Sequence, residues 1–184
     1  VPAFEQLCSD GADLIITVDC GTVSTDPIAR ANELKTDVIV LDHHQADENL
    51  PQAHAIVNPN RQDDISGQTH LAAVGVVFLF LVATARKLRE HDAHIEGLTP
   101  ATLMEWLDLV ALGTVCDVVP LIGLNRAYVK RGLELLHGRG SEGAGPDRTR
   151  PGGGEGSTAE ANRAADRVVR LGVGRYPWHP GAGA

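Results

Sequence analysis

A chain of 184 residues allows one domain with a sizeable core, and 43% hydrophobic and 22% charged residues are ordinary for a soluble globular protein. The net charge of −8 excludes a generally basic nucleic-acid-binding surface. It is unevenly spread: residues 1–137 carry 9 Lys+Arg against 19 Asp+Glu, whereas 138–184 carry 7 against 5. An acidic body can still act on phosphates where metal ions supply the positive charge. Three cysteines, Cys8, Cys20 and Cys116, without a C-x-x-C spacing, give no disulfide framework and point to a reducing cytoplasm. The chain opens on Val1-Pro2 and carries no signal-peptide pattern, so a start further upstream is expected.

Residues 13–18 form a near-continuous apolar run, as in a buried parallel strand. Ser24-Thr25-Asp26-Pro27 supplies capping residues and a first-turn proline, and Ile28, Ala31 and Leu34 continue at helical spacing, predicting a helix over 24–35. Residues 37–41 read as a second strand. Together these make a βαβ unit whose strands run parallel and end on one rim. Asp19 and Asp42-His43-His44 follow those strand ends, so they share the carboxyl edge where open α/β sheets bind ligands.

A third short strand is expected at 54–57, before an Asn58-Pro-Asn-Arg61 turn. The longest apolar run, Leu71 to Ala85, is too short to span a bilayer and reads as the buried part of a helix over 71–90. Thr99-Pro100 starts a helix through Leu103, Trp106, Leu107, Val110 and Ala111, leading into Gly113–Pro120, and Gly123–His137 is a last amphipathic helix. The expected fold is α/β: a mostly parallel sheet flanked by helices, incomplete, over residues 1–137.

One carboxylate and two imidazoles at a strand end are costly to gather without a ligand. Hard carboxylates with one or two imidazoles suit Mn²⁺ or Mg²⁺, and the histidines tilt the choice toward Mn²⁺. A carboxylate such as Asp19 can bridge two ions about 3.5–4 Å apart, a pair that clamps a phosphoryl group and generates hydroxide near neutral pH. A second histidine that is not a ligand can donate to a phosphate oxygen. Asp117, after an apolar helix, is a further candidate ligand that spacing alone does not place on the rim.

Thr17-Val-Asp-Cys-Gly21, Asp42-His-His44, Ile56-Val-Asn-Pro-Asn-Arg61 and Gly113-Thr-Val-Cys-Asp-Val-Val-Pro-Leu121 together resemble the DHH phosphoesterase superfamily, in its branch of bacterial single-strand-specific DNA exonucleases. Leu71–Val76 and the Asn125–Leu133 stretch resemble the same branch. The resemblance covers about 1–137. It implies a two-metal hydrolase degrading single-stranded DNA from the 5′ end with Mn²⁺ or Mg²⁺, in DNA repair and recombination. By motif, Asp19 would bridge the metals and His43 and Asp117 would be ligands. His44 would contact the scissile phosphate, and Asp42 would orient a ligand. The family's Asp-x-Asp motif and its C-terminal substrate-binding domain do not occur in this sequence. This chain alone is therefore expected to be weak or inactive.

Other residues are expected to play smaller parts. Arg61 and His70 are weak candidates for substrate contact, and Cys20 and Cys116 read as buried small hydrophobes. Residues 138–184, with 12 of the 20 glycines and no lysine, have the composition of a flexible tail or of a G+C-rich gene read out of frame. Two rival functions remain: a DHH enzyme acting on oligoribonucleotides, cyclic dinucleotides or pyrophosphate, and a non-catalytic binding or scaffold module.

Overall fold

The computed structural model describes residues 1–140. The glycine-rich segment expected from 138 lies outside the described residues, except that the backbone of its first three closes the last helix. The described chain falls into two compact units, Val1–Gly67 and one beginning at Gln68.

The first unit runs α1 (Pro2–Ser9), β1 (Leu14–Val18), α2 (Thr25–Glu33), β2 (Asp37–Leu41) and β3 (Ala55–Val57). The strands lie in the order β1-β2-β3 and pair in parallel, with Ile15 opposite Val38 and Val40 opposite Ile56. Strand alternation therefore sends Ile15, Val38, Val40 and Ile56 to one face, where they form the core with Ile28 and Ala31 of α2. Ile28, Val38 and Val40 are fully buried. Each such side chain stabilises the fold by about 1.5–3 kcal/mol relative to its exposed state.

Ser24 occupies the expected N-cap of α2, yet its side chain makes no capping hydrogen bond. The helix ends where Lys35 turns left-handed at φ 60° and the Thr36 N–H reaches the Ala31 carbonyl, 3.0 Å away. Helix α1 was not expected. Pro2 opens it, and Phe4 and Cys8 pack against the core without any residue of the helix being fully buried.

The second unit holds α3 (Ala73–Glu90), α4 (Pro100–Glu105), α5 (Leu107–Cys116) and α6 (Gly123–Gly140). The single helix expected after Thr99 is two. Thr99 caps the first by accepting the Thr102 N–H at 3.1 Å, and the chain breaks at Trp106. Helices α5 and α6 pack closely: a Cβ at Gly132 would collide with Ala111 and with the Leu107 carbonyl. No described helix is long and apolar enough to cross a membrane.

Candidate metal centre

The first two parallel strands deliver their chain ends to one rim, as the βαβ spacing predicts. The ladder continues past both strands: the Asp19 N–H donates to the Leu41 carbonyl at 2.9 Å, and the Asp42 N–H to that of Val57 at 3.0 Å. Asp19 then leaves the sheet in the left-handed region at φ 62°, a conformation Asp tolerates better than most residues. Gly21 completes the turn at φ 116°. A Cβ there would lie 2.5 Å from the Thr17 hydroxyl, so glycine is required twice over.

Asp42 is buried beneath this turn, at 1% exposure. Its Oδ2 accepts the Thr22 N–H at 3.0 Å and the Thr22 hydroxyl at 2.7 Å. Its Oδ1 accepts the His43 N–H at 2.8 Å, the His44 N–H at 3.2 Å and His44 Nδ1 at 2.8 Å. Burial pushes this carboxyl's pKa up. The hydrogen bonds from Thr22 and His44 outweigh burial and hold it well below the usual carboxylate range. An ionised carboxylate only accepts, so His44 carries its proton on Nδ1.

Above Asp42, His43 Nε2 lies 3.2 Å from Asp19 Oδ1, and the two imidazole rings meet edge-on at 4.7 Å between centroids. One ligand atom from each of Asp19, His43 and His44 lies within 4.8 Å of the others. A carboxylate and two imidazoles converging at a partly open rim form a donor set that fits a divalent cation. Asp42 holds the His44 ring from behind, the carboxylate–imidazole arrangement that fixes tautomer and direction in metal sites.

The other expected site residues fall elsewhere. Asp117 is exposed at the C-cap of α5, in the second unit, and the next residue, Val118, is left-handed at φ 56°. Arg61 is not presented to a substrate. Its guanidinium is buried, donates to both Asp63 oxygens at 3.0 and 2.8 Å, and reaches the Ile56 carbonyl at 2.7 Å. A carboxylate two residues away thus claims the charge expected for phosphate. His70 Nε2 is buried against the start of α6, where a Cβ at Gly123 would lie 2.8 Å away. Burial pushes the His70 pKa down, and its ring belongs to the packing of the second unit. Cys20 and Cys116, expected to be buried, are exposed.

The sequence reading missed the polar residues that tie the rim together. Thr22, Asn58 and Asn60 meet around the two histidines, and the only signal for them was the Asn-Pro-Asn turn.

Residues 2–114 match the DHH family, N-terminal domain. The chain is 45% identical over 132 residues to the single-stranded-DNA-specific exonuclease RecJ of Dickeya dadantii, covering 71% of this chain and 23% of that protein. It is 45% identical over 133 residues to RecJ of Salmonella typhimurium, with 72% and 23% covered. The chain therefore spans under a quarter of the length of these curated relatives. Its fold resembles the crystal structure of exonuclease RecJ bound to manganese, with a TM-score of 0.57 at 24% identity, covering 95% of this chain and 45% of that one. The structure of RecJ in complex with Mn²⁺ from Thermus thermophilus gives 0.56 at 24% identity, covering 94% and 26%. The family match, together with the parallel sheet and its Asp19–His43–His44 rim, means that this chain belongs to the DHH family.

Proposed function

We propose that this chain is part of a metal-dependent phosphodiester hydrolase that degrades single-stranded DNA from its 5′ end, in DNA repair and recombination. The convergence of Asp19, His43 and His44 on one sheet rim, with Asp42 buried behind them, carries the reading. Likeness to RecJ proteins, named for single-stranded DNA, supports the choice of substrate.

Asp19 and His43 hold Mn²⁺ or Mg²⁺, and Asp117 is assigned as a further ligand on its Gly113–Leu121 motif alone. A cation held by these residues would supply a nucleophilic hydroxide and neutralise charge building on the phosphate. His44 commits Nδ1 to Asp42 and meets the scissile phosphate through Nε2. Asp42 keeps that ring from rotating away. A strongly acidic chain repels DNA phosphates, so the ligand carboxylates must be neutralised before a strand can approach.

Calorimetric titration with Mn²⁺ tests the centre, using Asp19→Asn as the variant because Asn also tolerates the left-handed backbone. Binding should weaken tenfold or more. Equal affinity in the two proteins would sink the assignment. In the intact parent protein, end-labelled single-stranded DNA should be cleaved in preference to pyrophosphate or cyclic dinucleotides, and the reverse preference would move the function to small phosphoesters.

A further inference from the structure

We infer that Thr22, Asn58 and Asn60 are positioning residues for the His43–His44 pair, acting through its two carbonyls and through Asp42. The inference rests on the reading of these histidines as working residues.

Three loops follow the three parallel strands, and each supplies part of one hydrogen-bonded lattice. The Asn58 amide donates to the His44 carbonyl at 2.8 Å and to the Thr22 hydroxyl at 2.9 Å. Asn60 Nδ2 donates to the His43 carbonyl. Both consecutive peptide planes of the histidine pair are therefore gripped from the loop after β3.

The direction of every bond is fixed by chemistry. The Asp42 carboxylate can only accept, so the Thr22 hydroxyl spends its single proton on it, at 2.7 Å. That hydroxyl must then accept from Asn58, which fixes the orientation of the Asn58 amide. On the other side, Asp42 draws the proton of His44 to Nδ1, at 2.8 Å. A relay of four side chains, Asn58 to Thr22 to Asp42 to His44, thus sets the tautomer of a single ring.

Burial makes the relay stiff. Thr22 and Asn58 are each 2% exposed and Asp42 is 1%, so water does not compete for the Asn58–Thr22 and Thr22–Asp42 bonds, while the His44 ring at the end of the relay is exposed. Closing a turn would need much less. The bond from the Asn60 N–H to Asn58 Oδ1, at 2.8 Å, closes it alone. The grips on the histidine carbonyls and on Thr22 are additional, and all of them point at the candidate centre.

The test is made on the full chain labelled with ¹⁵N-histidine, by long-range proton–nitrogen spectra at pH 8, with His43→Gln and His44→Gln for assignment. The wild-type His44 ring should show the Nδ1–H pattern. Thr22→Val, which removes the hydroxyl and keeps the shape, should convert it to a tautomer mixture, and Thr22→Ser should restore it. Asn60→Ala should shift the His43 ring signals while leaving cooperative unfolding intact, so it decides the matter if Thr22→Val does not fold. Mn²⁺ affinity should fall about 10–100-fold in Thr22→Val and Asn60→Ala. Wild-type ring signals in the folded variants would overturn the inference. Failure of the wild-type chain to bind Mn²⁺ would instead overturn the metal reading, and the ring signals would still decide positioning.

Discussion

The two units differ in degree in how their buried polar groups are satisfied: the first leaves Thr17 Oγ1 without a hydrogen-bond partner among the described residues, and the second leaves more such atoms although its buried Thr114 donates to the Val110 carbonyl at 2.7 Å. In residues 1–67, Asp42 is buried with both carboxylate oxygens hydrogen-bonded, and Thr22, Asn58 and Arg61 are each buried and bonded. In the helical unit that follows, the Tyr128 hydroxyl, Asn125 Oδ1 and His70 Nε2 are buried without a hydrogen-bond partner among the described residues. Asn125 does bond through its other atom, donating to the His70 and Pro120 carbonyls at 2.6 and 3.0 Å. An unmade bond costs the desolvation of the group, so full satisfaction is expected where geometry has to be held. The first unit uses polar groups to fix directions. The second carries them within packing that apolar side chains dominate.

Asp42→Ala attacks the contrast most directly. It strips acceptors from the Thr22 N–H and hydroxyl and from the backbone of both histidines, and should cost about 3–5 kcal/mol in urea unfolding. A loss below about 1 kcal/mol would show that the rim does not depend on this carboxylate. Tyr128→Phe is the opposite experiment in the second unit. Removing a hydroxyl that lacks a partner should stabilise by about 1 kcal/mol, raising Tm by about 2–4 °C, and a lowered Tm would reveal a bond to that hydroxyl.

The smallest effect is a slope. Burial lowers the pKa of His70, so the folded chain takes up its proton less readily than the unfolded one. Stability from this group is full above the unfolded value, near pH 6.5, and is lost as the pH falls through the folded value. In His70→Gln the decline of the urea midpoint from pH 7 to pH 5 should be shallower than in the wild type. An unchanged slope would mean that His70 stays accessible to protons.

Strand β2 was legible to the residue, 37–41, because an unbroken and mostly β-branched apolar run, Val38 to Leu41, is bounded there by polar residues on both sides. Helix α1 was not read from the sequence, although Phe4, Leu7 and Cys8 stand at helical spacing, because the segment is only two turns long and none of its residues is fully buried. The break at Trp106 was hidden for a different reason: Leu103, Leu107 and Val110 keep helical spacing straight across it, without Gly or Pro. At the site, the ligand types stood out because acids and imidazoles are expensive to cluster. Their supports did not. Asn58 and Asn60 look like ordinary turn residues until the structure shows which carbonyls their amides reach. Arg61 was a candidate because a cation in a motif suggests phosphate, while in the structure Asp63, two residues on, pairs with it.

The left-handed backbone of Asp19 has a genetic consequence. Aspartate codons reach those of asparagine and glycine by one transition, and both residues enter this conformation cheaply. Neither carries the charge. Position 19 is therefore a place where a single base change would remove the charge of the proposed ligand without straining the backbone.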